Sequence, residues 1–178
     1  MSEQDHPRPL WAGRHVSVLA RGKWEFVTRN TRRPAVGIVA ITGERRIVLV
    51  EQFRPPVNAR VIELPAGLAG DQAGAEQEPL LAAAQRELLE ETGYRAARWT
   101  ELAGGYSSPG LTDELVVLFL AEGLTKVAPG GGDASEQITI HEVPLDGIAQ
   151  WLAGQRKPVD LKLYAGLFAA DSELQKRS

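Results

Sequence analysis

The stretch between Pro79 and Gly93 limits the possible folds of this chain more than any other part of the sequence. Within it, apolar residues recur at the three- and four-residue spacing of one helix face, as at Leu80, Ala84 and Leu88. Proline suits the first turn of a helix, and glycine suits the position just past its end. The sequence therefore predicts one helix that fills this stretch.

Three carboxylates lie on one face of the predicted helix. Glu87, Glu90 and Glu91 are spaced i, i+3 and i+4, and like charges at this spacing cost a few tenths of a kcal/mol per pair when only solvent surrounds them. A bound divalent cation would turn that cost into binding energy, and a ligand set made only of oxygen favours Mg²⁺, Mn²⁺ or Ca²⁺ over Zn²⁺. Arg86 stands four residues before Glu90 and is placed to orient it by a charge-assisted hydrogen bond. The alternative is a charged helix face that contacts only solvent.

Apolar and β-branched runs predict strands on both sides of this helix. They lie near residues 15–19, 23–28, 35–41, 46–53, 60–64, 96–100, 115–121 and 137–143, and the first four form two hairpins. Two short helices are predicted over residues 146–153 and 160–170. Residues 1–12, 66–77 and 128–135 are predicted to be loose, because they are rich in polar residues, proline or glycine. This order predicts an α+β (mixed α/β) fold with a largely antiparallel or mixed sheet.

The overall composition narrows the class of protein. A length of 178 residues suits one domain, and 20 basic against 23 acidic residues give a net charge of −3, which disfavours a general nucleic-acid binder. Cysteine is absent, so disulfides, thiolate metal sites and cysteine nucleophiles are excluded. The longest apolar runs are too short to span a bilayer, and residues 1–6 lack the features of a signal peptide. We therefore expect a soluble, cytoplasmic protein.

The helix and the residues before it resemble the Nudix box, whose pattern is G-x5-E-x7-R-E-U-x-E-E-x-G-U, with U aliphatic or bulky. Glu78 stands eight residues before Arg86, and the run RELLEETGY that begins at Arg86 supplies the later positions. One position departs from the pattern, because residue 72 is Gln where the box has glycine. Gly67 is the candidate for that glycine. It has ten residues between it and Glu78 instead of five, which implies a five-residue insertion within residues 68–77 that a surface loop would tolerate.

The resemblance extends beyond the box, over about residues 23–169, to the ADP-ribose and ADP-sugar pyrophosphatases of the Nudix family. It is carried by EQFRPP at 51–56, IELPAGL at 62–68 and SPGL at 108–111, with Pro109 fifteen residues after Tyr94. The resemblance implies a Nudix-like α/β/α sandwich with a mixed sheet and an N-terminal antiparallel ribbon. It also implies a single domain over 1–178, in which residues 1–34 form the ribbon and a dimer contact and residues 35–178 form the catalytic core.

The same resemblance implies roles for individual residues. The metal ligands are expected to be Glu87, Glu90, Glu91 and the carbonyl of Ala66, with Mg²⁺ as the cofactor and Mn²⁺ as a possible substitute. Arg86 and Glu90 are expected to take part in catalysis. The substrate-binding residues are expected to be Trp24, which would stack on adenine, Arg29 and Arg54, which would meet phosphate, and Glu63 and Pro109.

Three of these assignments have a plainer alternative. Trp24 equally fits a core position, since a tryptophan in a strand is usually buried. Arg29 equally fits a solvated charge at the end of a strand. Arg54 would otherwise be an exposed loop arginine, although its place beside two prolines favours a fixed bidentate contact with phosphate.

The box does not identify the general base, and the resemblance places it in a loop before a late strand. Glu136 is the first choice and Asp133 the second, and the alternative is that both carboxylates only solubilise the adjacent glycine run. The glycines at 129–132 are expected to act as a hinge that lets the base close over the metals when substrate binds.

The activity that the resemblance implies is hydrolysis of ADP-ribose, or of a related nucleoside diphosphate sugar, to a nucleoside monophosphate and a sugar phosphate. A diphosphate is highly charged, so its in-line cleavage by water needs a metal ion to neutralise charge. One alternative substrate class is GDP-mannose or the dinucleoside polyphosphates. An alternative of another class is a module that senses ADP-ribose without catalysis, although such modules usually lose box glutamates that this chain keeps. The expected partners are the small-molecule substrate and a second copy that exchanges N-terminal strands, with neither nucleic acid nor membrane.

Overall fold

The computed structural model describes residues 6–72, 74–132 and 137–177. The strands are β1 (Arg8–Ala12), β2 (Val16–Arg21), β3 (Trp24–Arg29), β4 (Ala35–Ile41), β5 (Arg46–Arg54), β6 (Ala59–Glu63), β7 (Ala66–Leu68), β8 (Tyr94–Tyr106), β9 (Leu115–Lys126) and β10 (Thr139–Pro144). The helices are α1 (Leu80–Thr92), α2 (Ile148–Ala153) and α3 (Leu161–Gln175). None of these helices is long and apolar enough to cross a membrane.

Seven strands form one mixed sheet, as the sequence predicts. Its main path runs β10–β5–β4–β9–β8, with β6 paired to β5 and β7 paired to β4. β4 and β9 are parallel, and the other pairs are antiparallel. The predicted hairpin of β4 and β5 is confirmed, but its ladder is short. β4 meets β5 only at Ala40 and Ile41, because β7 and β6 pair with the remaining parts of these strands.

A helix layer covers each face of this sheet, which confirms the predicted sandwich. α1 packs on one face through buried residues that include Ala84 and Leu88. α2 and α3 pack on the other face through Leu152 and Leu163. Because the apolar side of α1 is fixed on the strands, its neighbouring carboxylate side lies against β7.

The N-terminal strands form a separate antiparallel ribbon in the order β1–β2–β3. The predicted hairpin of β2 and β3 is confirmed, and Gly22 in its turn takes a positive φ of 56°. The predicted loose arm is wrong for residues 8–12, which form β1 as an edge strand, a position where Pro9 needs no ladder partner. The ribbon joins the rest of the chain where the Val27 amide donates to the Leu111 carbonyl at 2.8 Å.

Two other segments that the sequence predicts to be loose make defined contacts. Residues 66–68 are the strand β7. Residues 130–132 pack on the C-terminal end of α1, where the amides of Gly131 and Gly132 donate to the carbonyls of Glu91 and Glu90 at 2.8 and 3.1 Å. A side chain at Gly130 would lie 2.4 Å from the Thr92 carbonyl carbon. These glycines therefore permit a close approach to the helix end, whereas the sequence predicts a hinge.

Candidate active site

The carboxylate side of α1 lines a cleft of about 1140 Å³. The cleft collects most of the residues predicted for the site, namely Arg29, Arg54, Glu63, Ala66, Arg86, Glu87, Glu90 and Glu91. They come from three strands of the mixed sheet, from β3 of the ribbon and from α1, so the tertiary structure brings them together.

Arg86 is the centre of the acidic wall of this cleft. It donates hydrogen bonds of 2.7–3.1 Å to both carboxylate oxygens of Glu78, to the carboxylates of Glu87, Glu90 and Asp71, and to the Leu68 carbonyl. The sequence predicts the bond to Glu90, but the paired bonds to Glu78 become visible only in the structure. Hydrogen bonding to Arg86 holds the pKa of Glu78 below its usual range. Arg86 thus links α1 to the loop that precedes it.

Glu87 lies where β7 approaches α1 most closely. Its carboxylate is nearly buried, and a side-chain carbon at Gly67 would stand 1.9 Å from its Oε1 atom. Only glycine fits at position 67, which supports its assignment as the displaced glycine of the box. Burial raises the pKa of Glu87 to about 7, although the charge and hydrogen bond of Arg86 act in the opposite direction.

The other two carboxylates of the face differ in exposure. Glu91 is buried, and its Oε2 atom accepts a 3.0 Å hydrogen bond from the Ala66 amide. The side chain of Glu90 is 47% exposed and faces the cleft beside Gln72. The solvent-face alternative is therefore wrong for Glu87 and Glu91, whose charges are held under β7.

The donors on this wall suit a hard divalent cation, because all are oxygen atoms. Among the residues the structure describes, no three acidic or histidine side chains converge closely enough to enclose an ion as they stand. The reason is that Glu87 and Glu90 turn towards Arg86 while Glu91 turns towards the Ala66 amide. The raised pKa of Glu87 means that Arg86 compensates its buried charge incompletely, so a cation would fit this wall if Glu87 turned from Arg86 to it.

Two further arginines, Arg29 and Arg54, line the same cleft. Arg54 ends β5 and binds the buried Glu63 with two parallel hydrogen bonds of 2.6 Å, from Nε and Nη2. Arg29 ends β3 and binds Glu114 at 2.6–2.7 Å. Neither is the free loop or strand-end charge of the alternative interpretations, because each guanidinium is fixed by a carboxylate partner.

Trp24 and Pro109 lie apart from this cleft. Both line a smaller pocket of about 370 Å³, together with Phe26, Tyr106 and Arg21. Trp24 is 61% exposed, so its interpretation as a core residue is wrong. Within one chain, however, the structure does not bring Trp24 into the cleft that holds the carboxylate helix.

Sequence reasoning misses several cleft residues. Glu114, Pro158, Val159, Asp160 and Lys162 all line the cleft. Glu114 is held in the cleft by its pairing with Arg29. The two residues are 85 positions apart, so no local spacing pattern in the sequence indicates the pair. The 158–160 segment is held by backbone hydrogen bonds to Ile62. The Ile62 amide donates to the Pro158 carbonyl, and the Asp160 amide donates to the Ile62 carbonyl, both at 3.0 Å.

The two candidates for the general base, Glu136 and Asp133, lie outside the described residues. The chain on the N-terminal side of this segment reaches the cleft, because Gly132 is one of its lining residues.

Comparison with known proteins finds a domain family whose model matches this chain. The model of the NUDIX domain matches residues 31–164, which include α1 and the strands around it. A solved structure described as an ADP compounds hydrolase superposes with a TM-score of 0.76 over 97% of this chain and 94% of its own, at 20% identity. At that identity the likeness concerns the fold alone.

Two curated bacterial proteins are similar to this chain in sequence. An ADP-ribose pyrophosphatase of Bacillus subtilis is 39% identical over 129 residues, which are 72% of this chain and 66% of that protein. A methanol dehydrogenase activator of Bacillus methanolicus is 37% identical over 123 residues, which are 68% and 64% of the two chains. The chain thus spans slightly less than two thirds of the length of these relatives.

The environment of Glu87 predicts an unusual titration. In metal-free protein, we expect its carboxyl group to titrate near pH 7 in carbon-detected NMR, because burial disfavours the charged form. Since this pKa lies above the ordinary value of 4.5, the contribution of Glu87 to the free energy of unfolding is fully present below pH 4.5 and is lost as the pH rises through 7. Glu87→Gln should remove this slope, whereas a Glu87 midpoint below about 5 would contradict the burial argument.

Proposed function

Since the chain belongs to the NUDIX domain family, we propose that it hydrolyses the diphosphate bond of ADP-ribose or of a related nucleoside diphosphate sugar. The products would be AMP, or another nucleoside monophosphate, and a sugar phosphate such as ribose 5-phosphate. The observation that carries this proposal is the cleft in which the carboxylate wall of α1 and the arginines of β3 and β5 lie together. One wall is suited to a cation and the other to phosphate oxygens.

The proposed cofactor is Mg²⁺, with Mn²⁺ as a substitute. Glu87, Glu90, Glu91 and the Ala66 carbonyl would hold it. When bound, it would neutralise the charge of the diphosphate and favour ionisation of the attacking water. Arg86 would hold the glutamates in place, because Arg86 is itself fixed by its hydrogen bonds to Glu78 and the loop before α1.

Arg29 and Arg54 are proposed to bind the substrate phosphates. The pair with Glu63 fixes the plane of the Arg54 guanidinium through Nε and Nη2, and Nη1 would then donate to an incoming anion. Glu63 would therefore serve as the residue that orients Arg54. Arg29 would be held by Glu114 in the same way.

Substrate recognition is proposed to involve a second copy of the chain. Trp24 and Pro109 share a pocket that is separate from the carboxylate cleft, and Trp11 in the ribbon is also largely exposed. In a homodimer with exchanged N-terminal strands, Trp24 of one copy would reach the cleft of the other, which Arg29 and residues of the catalytic core line. Stacking of adenine on the indole would then contribute about 1–3 kcal/mol.

The alternatives keep the same cleft but change its use. A substrate such as GDP-mannose or a dinucleoside polyphosphate would need the same wall of carboxylates and arginines. A module that binds ADP-ribose without hydrolysis is disfavoured, because Arg86, Glu87, Glu90 and Glu91 are all present and all line the cleft.

Metal dependence tests the role of α1. Hydrolysis of ADP-ribose should stop in EDTA and recover with Mg²⁺ or Mn²⁺. Glu91→Gln removes one ligand charge and keeps the shape, so it should lower kcat by about a hundredfold or more, which is on the order of 3 kcal/mol of transition-state stabilisation. Glu44→Gln, an exposed turn residue, is the matched control and should leave kcat unchanged. Near-normal turnover by Glu91→Gln would overturn the assignment of α1 as the metal site.

Glu136 is proposed as the general base, with Asp133 as the second candidate. A base acts in the transition state, so Glu136→Gln should lower kcat by roughly 10²–10⁴-fold while substrate and Mg²⁺ affinities stay nearly unchanged. Asp133→Asn should cost much less in the same kinetic assay. The reverse order would assign the base to Asp133, and no effect from either would exclude both.

Sedimentation velocity tests the proposed dimer. We expect a species of about twice 19.3 kDa at micromolar concentration. Deletion of residues 1–30 should weaken both the dimer and the activity, because Trp24 and Arg29 are lost with the ribbon. In the full chain, Trp24→Ala should raise KM and leave the dimer intact. A fully active monomer would contradict the shared-site proposal.

A further inference from the structure

A second polar network lies on the face of β5 opposite to the face that carries Arg54. Its centre is Glu51, whose side chain is only 4% exposed. Glu51 accepts hydrogen bonds from Arg60 Nε at 2.5 Å and from Lys157 Nζ at 2.7 Å, and its Oε2 atom is 3.0 Å from His141 Nε2. The ring of Trp151 in α2 lies 5.5 Å from that of His141 and closes the network on one side.

The carboxylate of Glu51 is ionised across the ordinary pH range. Burial by itself would raise its pKa, but the bonds from Lys157, Arg60 and His141 outweigh burial and lower the pKa to about 2. A buried carboxylate that is bonded on both oxygens holds its partners in fixed positions.

The two cations bonded to Glu51 each adjoin a wall of the cleft. Arg60 precedes Val61 on β6, and Lys157 precedes Pro158 in the segment before α3. Val61, Pro158 and Val159 line the cleft, together with Pro56 and Val57 after β5. We call these five lining residues the apolar end of the cleft. Two of the three segments that supply them have neighbouring residues, Arg60 and Lys157, that meet on the Glu51 carboxylate.

This network is separate from the one that holds the carboxylate helix. The hydrogen-bond partners of Arg86 and those of Glu51 have no residue in common among the bonds of the described chain. A change at Glu51 or Lys157 should therefore move the apolar end of the cleft without disturbing α1.

We propose that Glu51 is a positioning residue for substrate binding, which acts through Lys157 and Arg60 to set the gap between Val61 and the 158–160 segment. The apolar end of the cleft would then receive an uncharged ring of the substrate, while α1 and the arginines receive the diphosphate. This inference rests on the proposed function for the nature of the ligand, and on the hydrogen bonds of Glu51 for the positioning.

The test removes the hydrogen bond between Lys157 and Glu51, which we call the tether, and retains the buried carboxylate. Lys157→Met should raise KM for ADP-ribose about fivefold with kcat within about twofold of the wild type, because one charge-assisted bond at a half-exposed lysine is lost. Lys157→Arg keeps the charge and should restore KM. Lys176→Met is the matched control, since Lys176 is an exposed residue just past α3 whose ion pair, among the described residues, is with Glu173. Equal KM values for Lys157→Met and Lys176→Met would overturn the proposal, as would a loss confined to kcat.

Hydrogen exchange of the substrate-free protein separates this inference from the proposed function. Lys157→Met should speed exchange in peptides covering residues 155–163, where the Asp160 amide is bonded to the Ile62 carbonyl. Peptides covering α1 should be unchanged. If the wild type hydrolyses no nucleoside diphosphate sugar, the proposed function fails, and faster exchange in 155–163 still supports the tether. Unchanged exchange in that segment overturns the tether whatever the activity.

Discussion

The site depends on one guanidinium group. Arg86 reaches out of α1 to both oxygens of Glu78, and at the same time it binds two of the three carboxylates that face the cleft. Those carboxylates would otherwise repel one another, and Glu87 would be a buried charge without compensation. Removing one partner from such a buried arrangement typically costs about 3–5 kcal/mol. The spacing of eight residues between Glu78 and Arg86 therefore has a structural reason, because it lets the loop before the helix return to the helix face.

The cleft is built from two independent polar networks on opposite sides of β5. The network around Arg86 orders the charged wall on α1, and the network around Glu51 orders the apolar end. β5 contributes Glu51 to the second network and Arg54 to the cleft, because alternate residues point to opposite faces of a strand. Glu51 thus points away from the cleft, and Arg54 points into it beside Glu63. This alternation explains how the short run at 51–54 serves both the fold and the site.

The sequence predicts best what depends on local spacing. The helix α1, its three carboxylates and its end at Gly93 follow from positions within one helix, and the strands follow from short apolar runs. The sequence fails where a long-range contact decides the structure. The strand β7 has only three residues and exists because β4 pairs with it. The 158–160 segment is joined to β6 by its backbone bonds to Ile62, and Glu114 is joined to the site by its pair with Arg29. At residues 130–132 the sequence predicts a hinge but not the close packing on the end of α1, because both uses favour glycine.

The most direct test of the proposed activity is to identify the products formed from a panel of nucleotides. Wild-type protein with Mg²⁺ would be incubated with ADP-ribose, ADP-glucose, GDP-mannose, UDP-glucose, NADH and diadenosine polyphosphates, and the products would be separated by chromatography. We expect AMP and ribose 5-phosphate from ADP-ribose, at a higher kcat/KM than for the guanine, uridine and dinucleoside substrates. Tight binding of ADP-ribose without cleavage, or cleavage of every substrate except the ADP-sugars, would contradict it.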